Sequence, residues 1–232
     1  GLRLRIKEKY MFKTAFLFPG QGSQYPGMIN PLMEVYPAVR DIFNNATAIT
    51  GIDLFNLCDK CPEDILNDDI NAQLAVFVYN IGAFLALKKS GFVPDILSGY
   101  SLGLYSAMTA SGSLRFEDGV RIIKGAGEIM LEASREIPGS MCVIFGLPLR
   151  TVEDICKEVS AHGKVYPSNI NASHQIVISG EIKALNCALE QAIERGALNV
   201  QKLQVKAAYH SPLMKEAALL FAEELKNIEF TD

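Results

Sequence analysis

A chain of 232 residues, 49% of them hydrophobic, is long enough for one large domain or a domain with a smaller insert, and it can bury a substantial core. The same composition excludes a disordered or low-complexity chain. With 22 basic and 26 acidic residues the net charge is −4, which gives no electrostatic reason to expect nucleic acid or an anionic membrane as partner.

Residues 1–10 mix Arg3, Arg5, Lys7, Glu8 and Lys9 with apolar side chains and lack a long apolar centre and a cleavage site, so they read as an extension ahead of Met11 and not as a signal peptide. Ala15 to Phe18 forms a first apolar strand that runs into the glycine-rich turn Phe18-Pro19-Gly20-Gln21-Gly22-Ser23-Gln24. Asn30 to Thr50 reads as helical segments with Leu32, Val35, Val39, Ile42 and Phe43 apolar, their starts limited by Pro31 and Pro37. Cys58 and Cys61 have C-x-x-C spacing, but no second pair or nearby histidine completes a zinc site, and they read as loop thiols. Ala72 to Leu87 repeats Leu74, Phe77, Val78, Ile81, Phe84 and Leu85 at helical spacing; it carries Gln73 and Asn80 and is too short to span a membrane, so a buried helix is expected, ended by Gly91. Ile96 and Leu97 close a short buried strand, Leu102 to Ala110 suits an interior helix, and Phe116, Val120, Ile123, Gly127, Met130 and Leu131 mark a helix with one core-facing stripe that stops at Pro138-Gly139.

From Ser140 to Val205 the order becomes strand, helix, strand, strand, helix, strand, the ferredoxin-like order. Its strands are expected at Met141 to Phe145, Val165 to Ile170, Gln175 to Ser179 and Asn199 to Val205, its helices at Thr151 to Ala161 and Ile182 to Glu194. The last helix begins near His210, where Ser211 suits the N-cap and Pro212 the first helical position. The whole alternation is that of an α/β protein with a mainly parallel sheet. Cys142, Cys156 and Cys187 read as core thiols, and five cysteines that cannot all pair point to a reducing, cytoplasmic compartment. His162 at a helix end and His174 between two strands read as surface or loop residues.

Gly99-Tyr100-Ser101-Leu102-Gly103 fits G-x-S-x-G, in which a serine sits on a tight turn between strand and helix with its hydroxyl exposed. Taken alone the pattern fits a catalytic serine and an ordinary strand-to-helix turn equally. Two distant stretches carry residue types that serine chemistry needs: the glycine-rich turn around Gln21, and Ala208-Tyr209-His210-Ser211-Pro212-Leu213-Met214, which supplies a histidine at a helix entry. With these, the chain resembles the malonyl-CoA:acyl carrier protein transacylase (acyltransferase) family of fatty acid and polyketide synthesis. Members carry FPGQGSQ, GHSLGE, a QEA-like helix segment, VVISG and a FHSPLM-like histidine motif in this order; here they read FPGQGSQ, GYSLGL, MLEA, IVISG and YHSPLM, covering roughly Phe12 to Asp232.

The resemblance implies an α/β fold with an α/β-hydrolase-like parallel-sheet core over 11–137 and 206–232 and an inserted ferredoxin-like subdomain over 138–205. It implies Ser101 as nucleophile and His210 as its base, because a free serine hydroxyl is a poor nucleophile near neutral pH. The backbone N–H groups of Leu102 and Gln21 would form the oxyanion hole. An acyl group would pass from acyl-CoA to Ser101 and then to the phosphopantetheine thiol of an acyl carrier protein, with no metal and no bound cofactor. Gln73 and Asn171 are marked as pocket-lining, although a buried amide has to satisfy its hydrogen bonds with or without a ligand, and a structural role stays open for both. The resemblance also implies that the histidine is oriented by a backbone carbonyl from a segment after the final helix, which this sequence, ending at Asp232, does not reach.

Three positions depart from the family pattern. Tyr100 replaces the histidine before the serine, and Leu104 the glutamate. Ala126, four residues before Met130, stands where malonyl-selective members have the arginine that grips a carboxylate. Lys124 and Arg121 are near in sequence but off the face that carries Ala126, and a lysine would not reproduce a bidentate grip. Tyr209 matches the bulky aromatic of malonyl-type members, which disfavours branching beside the thioester. A monocarboxylic acyl group is therefore expected. The alternatives are an acyl hydrolase that clears carrier proteins and a non-catalytic carrier-docking module, the latter disfavoured by the joint presence of Ser101, Gln21 and His210.

Overall fold

The computed structural model describes residues 13–231, so the extension expected over 1–10 lies outside the described residues. The elements in chain order are β1 (Ala15–Phe18), α1 (Ile29–Val35), α2 (Val39–Thr50), α3 (Leu54–Asp59), α4 (Glu63–Leu66), α5 (Asp69–Lys89), β2 (Ile96–Gly99), α6 (Gly103–Ser111), α7 (Phe116–Glu136), β3 (Gly139–Phe145), α8 (Leu149–Glu158), β4 (Val165–Ala172), β5 (Gln175–Glu181), α9 (Ile182–Glu194), β6 (Asn199–Lys202) and α10 (Lys215–Leu225). The fold is α/β, with one parallel and one antiparallel sheet. Described residues fall into two compact units, one of 13–66, 71–123 and 229–231, the other of 67–70 and 124–228.

In the first unit β1 and β2 pair in parallel, Ala15 opposite Ile96 and Phe18 opposite Gly99. The pair is extended at its start by Thr14 N donating to Asp95 Oδ2 at 2.7 Å and Asp95 N to the Thr14 carbonyl at 2.8 Å. Phe84 of α5 lies against Phe16 and Phe18, ring centroids 6.2 Å apart in both cases, and Ala107 of α6 joins this cluster. Helix α5 buries apolar residues on every side, Leu74, Ala75, Val76, Phe77 and Val78 in succession, with Asp69, Gln73 and Asn80 as buried polar exceptions. At 21 residues it is longer than the expected Ala72 to Leu87, and by length and composition it is apolar enough to cross a membrane; since 61% of its most apolar stretch is buried inside the protein, it has the burial of a core helix.

Cys58 is not a loop thiol. It lies on α3, fully buried, and burial first, with the neighbouring Cys61 second, pushes its pKa up to about 12. Helix α3 has only six residues, too few to show a period, but Asp53 caps it by accepting from Asn56 N at 3.0 Å.

In the second unit the strands lie in the order β4-β5-β3-β6, each neighbouring pair antiparallel. Side chains of β3 alternate between faces. Cys142 and Ile144 join Ile176 and Ile178 of β5 in a core with Val152 and Ile155 of α8 and Leu185 and Ala188 of α9. Met141 and Val143 point the other way, toward Val177, Leu203, Val205 and Tyr209. The expected elements recur with shifted ends: α8 gives way to a 3-10 turn over Val159–His162, and β6 stops at Lys202 instead of Val205. The chain beyond β6 leaves the ladder for fixed partners, Leu203 N donating to the Met141 carbonyl at 2.9 Å and Ser140 Oγ to the Val205 carbonyl at 3.0 Å. Ser211 caps a 3-10 turn over Pro212–Met214, accepting from Leu213 N at 3.3 Å, and α10 follows.

Candidate active site

Among the described residues only two non-glycine positions have positive φ, Ser101 at 51° and His210 at 56°. A left-handed backbone at a residue with a side chain is held against its own preference, by about 1–3 kcal/mol, and such positions cluster at functional sites. The two residues that the sequence singles out as nucleophile and base are the two that carry this strain.

Ser101 occupies the turn from β2 into α6, exposed, between two glycines that local packing requires. A Cβ on Gly99 would overlap the backbone of Gly103, and a Cβ on Gly103 would overlap the Phe18 carbonyl, so no other residue lets strand, turn and helix approach this closely. Tyr100 N donates to the Phe18 carbonyl at 3.0 Å, and Gly103 N to the Tyr100 carbonyl at 2.9 Å. Tyr100 is half-exposed, whereas Leu102 is buried.

The glycine-rich turn lies against this elbow. A Cβ on Gly20 would come within 2.6 Å of the Tyr100 carbonyl and 3.7 Å of Leu102 N, which places the residue before Gln21 next to the amide that follows the serine. The turn keeps its shape through its own contacts: Ser23 Oγ donates to the Gly20 carbonyl at 2.9 Å, Gly22 N to Gln24 Oε1 at 2.8 Å, and Gly22 has φ 103°. Its far end is tied to α3 by Gly27 N donating to the Cys58 carbonyl at 2.9 Å. Gln73 lies buried on α5 in the same unit.

In the second unit His210 sits one residue ahead of its helix cap, and Ser211 Oγ donates to the Ala208 carbonyl at 2.6 Å. Although His210 is exposed as a residue, the protein atoms crowded about its ring disfavour the charged form and hold its pKa below the ordinary 6.5. The preceding segment is anchored on Asp69, at the start of α5 and only 5% exposed: Asp69 Oδ2 accepts from Lys206 N at 2.9 Å and from Tyr209 Oη at 3.1 Å. Asp69 is not among the residues that the sequence singles out, since it lies ahead of the helix expected over Ala72 to Leu87. Its place one turn before Gln73, on the same face of α5, was the available signal. Ala126 is buried on α7, and Asn171 is exposed near the end of β4.

Ser101, Tyr100, Leu102, Gln21 and Gln73 thus belong to the first unit, and Ala126, Asn171, Tyr209 and His210 to the second. Chemically they comprise a presented hydroxyl with two backbone segments meeting beside it, and an imidazole biased toward its neutral, proton-accepting form.

Residues 15–231 match the acyl transferase domain family. The chain is 38% identical over 223 residues to a malonyl CoA-acyl carrier protein transacylase of Bacillus subtilis (strain 168), covering 96% of this chain and 70% of that protein. To the protein of the same name from Escherichia coli (strain K12) it is 35% identical over 221 residues, covering 95% and 72%. Among solved structures it superposes with a TM-score of 0.90 and 35% identity on a chain of a type II PKS acyl-carrier protein in complex with its malonyl-transacylase, covering 95% of this chain and 72% of that one. The malonyl CoA-acyl carrier protein transacylase of Coxiella burnetii gives a TM-score of 0.89 at 33% identity, covering 94% and 69%.

Proposed function

We propose, from the premise that this chain belongs to the acyl transferase domain family, that it moves an acyl group from coenzyme A to the phosphopantetheine thiol of an acyl carrier protein through an acyl-Ser101 intermediate. The observation that carries the reading is Ser101 itself, held at φ 51° on a glycine-flanked elbow with the glycine-rich turn packed beside the next amide.

In the first half-reaction Ser101 Oγ attacks the thioester carbonyl while His210 takes the hydroxyl proton. The oxyanion accepts from the N–H groups of Leu102 and Gln21, and collapse expels the CoA thiolate, which receives the proton from His210. In the second, the carrier thiol gives its proton to His210 and its sulfur attacks the acyl-serine carbonyl; the intermediate collapses by breaking the bond from that carbon to Ser101 Oγ, which leaves the acyl group as a thioester on the carrier while Oγ recovers the proton from His210. No resident cofactor or metal enters, and both thiols are substrates. Only neutral His210 can begin either half, so the lowered pKa keeps a larger share of the protein competent as the medium turns acidic.

The finer architecture belongs to the same proposal. We read 11–137 and 206–232 as an α/β-hydrolase-like core, a reading supported by the strand-serine-helix elbow, and 138–205 as a ferredoxin-like subdomain, supported by the order β4-β5-β3-β6. A cytoplasmic location rests on five free cysteines. Ala126 offers no cation to a malonyl carboxylate, and the acyl pocket with Gln73, Tyr100, Asn171 and Tyr209 is read as favouring a monocarboxylic group.

Intact-mass measurement after exposure to a panel of acyl-CoA thioesters, followed by holo carrier protein or by buffer alone, tests the proposal. Transfer requires the acyl adduct to discharge much faster with carrier than without it. Equal rates in both would make the protein a hydrolase, and no adduct with any thioester would leave a docking module.

A further inference from the structure

Helix α5 is apolar on every side except at a few positions, and one of these, Asn80, is 5% exposed in the middle of the core of the first unit. An amide there has to be hydrogen-bonded, and a leucine or valine would satisfy the helix without that demand. What Asn80 holds gives it a purpose. Its Nδ2 donates to the carbonyl of Pro19 at 3.1 Å and to Ser106 Oγ, which is itself fully buried, at 3.1 Å. Pro19 lies two residues before Gln21, and Ser106 four residues after Leu102 on α6. One side chain therefore spans the two backbone segments proposed to supply the oxyanion donors, segments separated by some eighty residues of sequence.

We propose that Asn80 is the positioning residue of the oxyanion hole, fixing the distance between the Gln21 and Leu102 amides from a third element. It touches no substrate and acts through Pro19 and Ser106. Where Leu102 N–H points is set within the elbow, where Gly103 N donates to the Tyr100 carbonyl at 2.9 Å and strand and helix pack so closely that only glycine fits at 99 and 103. The turn takes its shape from Ser23 Oγ donating to the Gly20 carbonyl and Gly22 N to Gln24 Oε1, and its entry meets the elbow through Tyr100 N donating to the Phe18 carbonyl; Asn80 adds a tie from a third element one residue further on. The Asn80 bond to Pro19 anchors the entry to that turn. Removing one oxyanion donor costs on the order of a hundred- to a thousandfold in rate, and a displacement of about 1 Å costs up to about a hundredfold, so losing the anchor while keeping the donor should fall at the lower end.

The inference rests on the proposed acyl transfer, and the test keeps the two separable. Asn80→Leu keeps a similar volume and has no proton to donate to Pro19; Asn80→Ala removes the side chain outright; Ser106→Ala retains the bond to Pro19. Each full-length variant is assayed beside wild type for the rate of Ser101 acylation by acyl-CoA, for inhibition by an aliphatic trifluoromethyl ketone, whose serine adduct carries an oxyanion, and for CoA affinity. Both Asn80 variants should acylate about 10- to 100-fold more slowly and lose affinity for the ketone in the same proportion, with the Kd for CoA within about threefold of wild type. Ser106→Ala should slow acylation by less than either. Should an Asn80 variant fail to fold, Ser23→Ala, which frees the Gly20 carbonyl in the same turn, supplies the second perturbation and should weaken the ketone selectively. Wild-type rates and ketone affinity in folded Asn80 variants overturn the inference, as does an equal loss of CoA and ketone binding, which would mark general destabilisation. Absence of any acylation in wild type would instead overturn the functional reading.

Discussion

Replacing Asp69 by alanine should loosen the segment that carries His210, by an amount that follows from the contacts made. Its Oδ2 accepts two hydrogen bonds, from Lys206 N at 2.9 Å and Tyr209 Oη at 3.1 Å, in a position only 5% exposed. A hydrogen bond to a charged group contributes about 1.5–3 kcal/mol, so losing two at the lower end costs about 3 kcal/mol. For a chain of this length each kcal/mol moves the Tm by about 2–4 °C, which predicts a fall of about 6–12 °C. Asp69→Asn keeps one oxygen able to accept from both donors without the charge and should cost about 1 kcal/mol; Tyr209→Phe removes one bond and should cost about 1.5 kcal/mol. The exposed bridge from Lys206 Nζ to Asp68 at 3.0 Å is the control, and Lys206→Ala should cost no more than about 1 kcal/mol because its backbone N–H remains. Urea unfolding of the single variants and of the Asp69→Ala/Tyr209→Phe pair supplies the assay, with a coupling of about 1 kcal/mol expected for residues in contact. Asp69→Ala within about 0.5 kcal/mol of wild type, or strictly additive effects, would refute the reasoning.

Two further outcomes follow from the site. His210→Ala should slow Ser101 acylation by about a hundredfold or more, and the acid limb of wild-type acylation should fall below pH 6.5, because activity is lost only as pH drops through a pKa that burial has lowered; a limb at or above 6.5 would contradict this. Acetyl-CoA should load at least as fast as malonyl-CoA at equal concentration, since the buried Ala126 gives the malonyl carboxylate no charge-assisted partner worth about 1.5–3 kcal/mol; a strong malonyl preference would mean that another cation takes the role of the family arginine.

Much of this arrangement was readable from residue types alone. The first strand spans Ala15–Phe18 and α9 spans Ile182–Glu194, as hydrophobic patterning indicates, because both have apolar runs bounded by turn formers. Ser211 and Pro212 announce the turn after His210 by their capping chemistry. Helices α3 and α4 escaped because six and four residues are too few for a period to emerge, and the burial of Cys58 followed from the missed helix. Beyond Lys202 one more backbone bond, Leu203 N to the Met141 carbonyl, is made before the Ser140 and Asp69 side chains take the Val205 carbonyl and Lys206 N, partners from distant segments that composition does not express. Asp69 and Asn80 were the harder omissions. A carboxylate in a first helical turn and an amide in an apolar helix look like a solvated end and a tolerated defect; only their partners, Tyr209 with Lys206 and Pro19 with Ser106, give them a role.

The central claim is that Ser101 carries the acyl group, and peptide-level mass spectrometry tests it most directly. Wild-type protein and Ser101→Ala are exposed to the same acyl-CoA, quenched in acid and digested, and the acyl mass is located. Wild type should carry one acyl group on the peptide containing Gly99-Tyr100-Ser101-Leu102-Gly103, and Ser101→Ala should carry none. An adduct that persists in Ser101→Ala, or that maps in wild type to a cysteine instead, would contradict the account.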